Sequence, residues 1–434
     1  MCFIKKMMIF TAAFSVILLS GCDSGAGEHT SEIASIEKID ISEAGENFNN
    51  DIEKLKASDF DNISFKDLIV YSFPEFPENG AVHVMDILPE ESPSADDLYD
   101  FMCEKIDELM PGRFTDEQKE YGIRFADAGL FHEDAEELQF VHPTLQEYKD
   151  NHLESEYPWL LFESKEYCFE VIEGWFRGYN GGAAAKRGDS DKLLYSYTLT
   201  RVYGDIVYYT SDMNSQKSFE LSDGSLRIDQ ASDFVNNYLE TQKLSMKESN
   251  IKYCTDGVKV IDMHNGHYGY AFSIVGKYDG MKIDTLDMRD SESGAGYIQN
   301  TTNEATRPGN FGLTKSGEPD YFNLLNIYNV AEKETYALII PLNKAAEIAS
   351  DYLTSGIKFK AKNVTAVYKE FSADAKYESS EAYQNREITA RPCWKFTLRP
   401  TTGNTELLYH VYVDMLTGKA DVIIQDIRKG LEFD

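Results

Sequence analysis

Val411-Tyr412-Val413-Asp414-Met415-Leu416-Thr417-Gly418-Lys419-Ala420 carries the clearest local folding instruction in the chain. Val411 to Val413 is a β-branched and aromatic run that suits a pleated, half-buried surface. Asp414 has a short carboxylate that can accept hydrogen bonds from backbone amides just ahead of it, and Gly418 can adopt the left-handed conformation of a tight turn. The stretch therefore reads as a strand, an Asp-x-x-Thr-Gly turn and the start of a return strand. Upstream, Trp394-Lys395-Phe396-Thr397-Leu398 alternates apolar and polar residues with the period of a strand. Residues 345–353 form an amphipathic helical pattern rich in alanine.

The same texture occurs earlier. Residues 231–239 are also an amphipathic helical pattern ending in Tyr-Leu, and Tyr238 and Tyr352 stand 114 residues apart. Asn250-Ile251 answers Asn363-Val364, and Tyr270-Ala271-Phe272-Ser273-Ile274 answers the Trp394 strand at a spacing of 124, so the second copy needs a ten-residue insertion before that strand. Each copy is expected to be one helix followed by three or four antiparallel strands, a unit that buries one face of each element. The alanine-rich helix, the Pro392-Cys393-Trp394-Lys395-Phe396 strand and the 411–420 turn together resemble a PepSY domain over about the last quarter of the chain. Two features depart from that pattern: the stretch 371–391 is long for an inter-strand loop, and the first copy lacks the Asp-x-x-Thr-Gly ending. The resemblance implies an exported, often membrane-associated module that inhibits or modulates peptidases. It transfers no catalytic or inhibitory residues.

The N-terminal half supplies different elements. Val82-His83-Val84-Met85 and Leu68-Ile69-Val70-Tyr71 are strand-like, and Ser94 precedes a helical stretch with Leu98, Phe101, Met102, Ile106 and Leu109 at helical spacing. Residues 163–228 are mostly β in texture, and Asp223-Gly224 marks a hairpin. The expected fold class is α+β: a mixed, β-rich N-terminal domain followed by two tandem PepSY-like modules, each a helix on an antiparallel sheet. The expected boundaries are 1–21 for a signal peptide, 22–60 for a polar tether, 61–228 for the N-terminal α+β domain, 229–335 for the first module and 336–434 for the second. Residues 289–320 are rich in Gly, Ser, Asn and Thr and read either as a lid over a partner site or as a long disordered insert, the second being preferred.

Leu19-Ser20-Gly21-Cys22 follows an apolar run, residues 7–19, that is preceded by Lys5 and Lys6. The run is shorter than the roughly 20 apolar residues of a spanning helix. It resembles the lipobox of bacterial lipoproteins, which implies removal of residues 1–21 and a diacylglyceryl group on Cys22. Asp23 after that cysteine implies retention at the outer face of the cytoplasmic membrane.

Charge narrows the partners. The 434-residue chain carries 42 Lys+Arg against 74 Asp+Glu, a formal charge of −32. Loss of Lys5 and Lys6 with the signal leaves −34. Such a field repels phosphate backbones, which excludes nucleic acid as an expected partner. Cys103, Cys168, Cys254 and Cys393 are widely separated, and buried free thiols are preferred over disulfides.

Chemistry-bearing motifs are sparse. Tyr157, Trp159, Trp175, Phe176 and Tyr179 cluster in sequence with Arg177. Exposed, Trp175, Arg177 and Tyr179 could stack on a sugar or peptide; buried, they are ordinary sheet core. His264 and His267 flank the Asn265-Gly266 hairpin signal and lack a metal-binding frame, and the acidic run at His132-Glu133-Asp134 lacks the ligand spacing of a calcium loop. Arg187-Gly188-Asp189 matches an adhesion tripeptide at a level expected by chance. No nucleophile motif, metal or cofactor is expected. The expected function is non-catalytic: a lipid-anchored protein that binds or modulates an envelope protein, with a peptidase as the partner the resemblance implies, and with glycan or peptide binding through the aromatic cluster as the alternative.

Overall fold

The computed structural model describes residues 36–68, 70, 75–77, 79–88, 93–126, 128, 130–132, 139–153, 159–163, 167–172, 175–180, 206–242, 249–284, 297–298, 309–324, 329–353, 356–372, 388–402 and 407–426. The described chain is α+β. Its helices are α1 (Ile41–Ala57), α2 (Ala95–Leu109), α3 (Asp116–Gly122), α4 (Leu145–Asp150), α5 (Ile228–Thr241) and α6 (Leu342–Tyr352). The principal strands of the first half are β1 (Val82–Leu88), β2 (Ile123–Phe125), β3 (Trp159–Glu163), β4 (Tyr167–Ile172), β5 (Trp175–Asn180) and β6 (Ile206–Thr210). They are followed by β7 (Lys252–Asp262), β8 (Tyr268–Tyr278), β9 (Met281–Asp284), β10 (Gly309–Leu313), β11 (Tyr321–Leu324) and β12 (Asn329–Tyr336). The last four are β13 (Phe359–Ser372), β14 (Ile388–Pro400), β15 (Leu407–Asp414) and β16 (Ala420–Asp426).

Strict alternation along β14 decides the second sheet. Trp394, Phe396 and Leu398 are fully buried on one face. Two helices cover that face: Phe48 of α1 stacks on Trp394 with ring centroids 6.2 Å apart, and the Trp394 indole Nε1 donates to the Ile340 carbonyl, just before α6, at 2.8 Å. Ala345, Ala346 and Ala349 are buried along α6, where small side chains permit close approach to its neighbours. The strands run β13-β14-β15-β16, all antiparallel, with β9 added in parallel along β13.

The turn between β15 and β16 has the chemistry its residues predict. Asp414 Oδ1 accepts from the amides of Leu416 at 2.8 Å and Thr417 at 2.9 Å, and Gly418 sits at φ +73° while its amide donates to the Asp414 carbonyl. Arg391 Nε donates to the other carboxylate oxygen at 2.6 Å, which ties the turn to β14.

The other large sheet runs β6-β7-β8-β10-β11-β5-β4-β3-β2, antiparallel throughout. Its core face carries Val258, Tyr270, Phe272, Phe311, Phe322, Phe169 and Phe162, which pack with α2 and α5 residues such as Leu98, Met102 and Val235 in one cluster. Ser232 of α5 is within 2.6 Å of the Thr255 hydroxyl on β7, and Asn236 Oδ1 accepts from the Thr255 amide at 2.9 Å. The β8–β9 hairpin joins this sheet to the second one, because β9 leaves β8 and pairs with β13.

The two halves of the C-terminal region share an element order. In each, a helix precedes four strands paired antiparallel in chain order, α5 before β7-β8-β10-β11 and α6 before β13-β14-β15-β16, but in the first half β9 and residues 297–298 intervene between β8 and β10. The first strand pair is joined by five residues, Met263 to His267, and the corresponding later pair by fifteen, 373–387. Measured from the aligned residues, Tyr270 pairs with Val260 ten positions back and Trp394 with Ala366 twenty-eight positions back, so the hairpins differ by more than the expected ten residues.

Four expectations are corrected. Residues 22–60 are not all tether: Ile41, Ala44, Phe48, Asp51, Ile52 and Leu55 of α1 are buried, the Asp40 side chain caps the helix, and Ile39–Asp40 pairs with Leu338–Ile339. Its scattered apolar residues read as weak periodicity because the helix has a narrow buried stripe and many charges. The boundary at 229 does not separate independent domains, since β1 pairs with both β12 and the start of β14, and Lys38–Asp434 forms one compact unit. Residues 309–320 are not a disordered insert, because β10 lies between β8 and β11. The expected strand at Leu68 is absent there; Leu68 is buried outside any strand. The rest of 289–320 that precedes residue 309, apart from 297–298, lies outside the described residues, as does the Arg187-Gly188-Asp189 tripeptide.

Trp394→Ala is expected to cost about 3–5 kcal/mol in urea unfolding, the usual range for a large aromatic removed from a packed core. Phe48→Ala should destabilise as well, and a double-mutant cycle should show coupling of about 0.5–1.5 kcal/mol between the two stacked rings. A silent Phe48→Ala would return residues 41–57 to the role of a tether.

Candidate functional site

The face of the second sheet that points away from α1 and α6 is polar at its centre. The same alternation that turns Trp394 and Phe396 toward the helices turns Arg391, Cys393, Lys395 and Thr397 to this side. Register places Tyr412 and Asp414 of β15, Asp421 of β16, Lys369 of β13 and Asp284 of β9 with them.

Tyr412 organises the cluster. It is buried with Val367, Cys393 and Ile423, and its hydroxyl donates to Asp284 Oδ2 at 2.9 Å. Lys369 Nζ lies 4.4 Å and Lys395 Nζ 5.5 Å from the centre of its ring, within cation–π range. Lys395 also pairs with Asp284, Lys369 with Asp421, and Arg391 with Asp414. His410 Nδ1 lies 3.2 Å from the Thr397 hydroxyl on the same face. Three cations are thus matched by three carboxylates inside a strongly acidic protein.

Burial by itself would raise the Asp284 pKa, but the Lys395 ammonium, with help from His410 and the Tyr412 hydroxyl, outweighs it and holds the carboxyl below the usual value. Burial and the adjacent Asp284 push Tyr412 well up, and burial pushes the Cys393 thiol well up. Neither group supplies an anionic nucleophile at neutral pH. Chemically, the arrangement is a neutralised polar layer that pins β9, and with it the first sheet, onto the second.

The residues singled out from sequence are not brought into this cluster. Trp175, Arg177 and Tyr179 alternate along β5 and so share a face of the first sheet; their side chains lie outside the described residues, and so does Cys22. In register, Arg177 stands opposite Glu170 and Trp175 opposite Ile172. His264 and His267 sit in the β7–β8 turn, where Asp262 Oδ1 accepts from the His264 amide at 2.8 Å and Asn265 Oδ1 from the His267 amide at 3.0 Å. Among the described residues no three His, Cys, Asp or Glu side chains are grouped to hold a metal ion. Cys103, Cys254 and Cys393 are free thiols, and the Cys168 side chain lies outside the described residues. The Tyr412 cluster was not recognised from sequence. Its one linear sign is the row of polar residues alternating with the Trp394 face; the partnership with Asp284 depends on a strand more than a hundred residues away.

No family model and no curated protein matches this chain. Among solved structures, the 1.45 Å crystal structure of an uncharacterized protein from Eubacterium rectale ATCC 33656 is similar at 14% identity and a TM-score of 0.41, over 82% of this chain and 86% of that one. At that score the likeness carries no argument.

The depressed Asp284 pKa gives a signed pH dependence. An ordinary aspartate titrates near 3.8, so the contribution of Asp284 is complete above that value and is lost as pH falls through its lower folded-state value. Asp284→Asn should therefore flatten part of the stability loss below pH 3.8 in pH-dependent urea unfolding. At neutral pH the same variant should cost about 3–5 kcal/mol, because Lys395 keeps its burial without its carboxylate.

Proposed function

We propose that this protein is a lipid-anchored, extracytoplasmic binding protein whose two C-terminal halves are PepSY-like modules that modulate an envelope protein, with a peptidase as the favoured partner. The observation that carries the reading is that in each half a helix precedes four strands paired antiparallel in chain order, with β9 and residues 297–298 intervening in the first half. The Asp414 and Gly418 turn supports the likeness of the second copy. The Leu19-Ser20-Gly21-Cys22 motif supports anchoring through Cys22 at the outer face of the cytoplasmic membrane. Among the described residues no helix is long and apolar enough to cross a membrane.

The glycan or peptide reading draws on Trp175, Arg177 and Tyr179 sharing one face of β5. It is the weaker one, because Glu170, opposite Arg177 in register, is fully buried and Leu161 beside it is 9% exposed. The sheet is covered at that point.

Fractionation tests the anchor: the wild-type protein is expected in the membrane fraction, and Cys22→Ser in the soluble extracytoplasmic fraction. An unchanged distribution removes the anchor from the reading. Partner identity is tested with the intact mature protein, since removing residues after 330 would take away the strands that pair with β1. In-cell crosslinking should recover an envelope peptidase whose activity changes when the purified protein is added; recovery without any change in activity overturns the modulator role.

A further inference from the structure

His83 lies where the two sheets, β1 and β12 meet. It is 2% exposed, and four separate stretches of chain surround it. Its backbone amide donates to the Tyr368 hydroxyl of β13 at 3.2 Å, and its ring meets the Tyr278 ring of β8 edge-on at 6.0 Å. Across from it on β12, Thr335 Oγ1 is 3.1 Å and Glu332 Oε2 3.4 Å from ring nitrogen Nδ1. Glu332 accepts a second hydrogen bond, from the Tyr278 hydroxyl at 2.7 Å. On the other side, the Asn79 side-chain Nδ2 faces ring nitrogen Nε2 at 3.5 Å.

These surroundings select one protonation state. A carboxylate only accepts, so Nδ1 beside Glu332 carries the hydrogen; an amide nitrogen only donates, so Nε2 beside Asn79 is bare. The Asn79 orientation is not free to reverse, because its Oδ1 accepts the Ala81 amide at 2.9 Å. We propose that His83 and Asn79 form a proton-operated latch on the Asn79-Gly80-Ala81 turn that leads into β1. A second proton on the ring goes to Nε2 and sets one N–H against another. Asn79 must then rotate its amide, and the Ala81 amide loses its acceptor. The other charges near the ring do not relieve this conflict: Glu332 already faces Nδ1, Asp279 bears on the Tyr278 and Tyr368 hydroxyls, and Lys333 is paired with Asp86 at 3.3 Å. The turn therefore opens on acidification while the strand it feeds keeps its pairing with β12.

Hydrogen exchange at Ala81, corrected for intrinsic exchange, tests the latch as the pH is lowered from about 8 to about 5. In the full-length mature protein, Ala81 protection should fall about five- to tenfold on acidification, the equivalent of one net hydrogen bond. His83→Gln should abolish that dependence. Asn79→Asp, at an exposed turn position, should reverse it, since a carboxylate can accept both the Ala81 amide and the Nε2 hydrogen. Protection that is unchanged in the wild type, or that falls equally in His83→Gln or Asn79→Asp, overturns the proposal.

Discussion

Burial of Trp394 is the constraint on which the second half of the molecule depends. An indole at the centre of a sheet presents a large apolar area and one N–H that must find an acceptor when water is excluded. The structure satisfies both needs from elements distant in sequence. The Ile340 carbonyl takes the N–H, and Phe48, nearly 350 residues upstream, covers the ring. Once α1 is committed to that surface, the segment entering it must lie beside the residues leading into α6, as the pairing of Ile39–Asp40 with Leu338–Ile339 shows.

The opposite face of the same sheet solves a different problem. Its centre is buried but ionic, and charges there are tolerable only when each is matched and hydrogen-bonded. Lys395 with Asp284, Lys369 with Asp421 and Arg391 with Asp414 meet that condition around Tyr412. The geometry also makes the layer specific. Asp284 reaches it only because β9 pairs in parallel with β13, so the ionic layer holds the first sheet in register with the second. Structural integration is what this cluster supplies.

Much of the local structure was legible because it depends on short-range chemistry. Asp414 to Gly418 is a turn whose residues satisfy their own backbone, and Asp223-Gly224 closes the hairpin its residues indicate. Helices α2, α5 and α6 show their buried stripes at helical spacing, and Trp394 to Leu398 shows its two faces by alternation. Helix α1 was misread because charged residues fill most of its surface and its buried stripe is recognisable only beside Trp394. The pairing of β1 with β12 and β14 could not be seen in a linear chain, since a strand's own residues indicate which face is buried but not which neighbour lies alongside.

The candidate sites divide in the same way. The residue order alone determined the acidic charge, the α+β class and the chemistry of the Asp414 to Gly418 turn, since each rests on contiguous residues or total composition. Only the tertiary structure decided that Asp284 meets Lys395 and Tyr412, that His83 stands between Glu332 and Asn79, and that the halves form one unit. Those arrangements join strands separated by many loops, and long-range pairing is selected by the packing of whole faces rather than by any local preference.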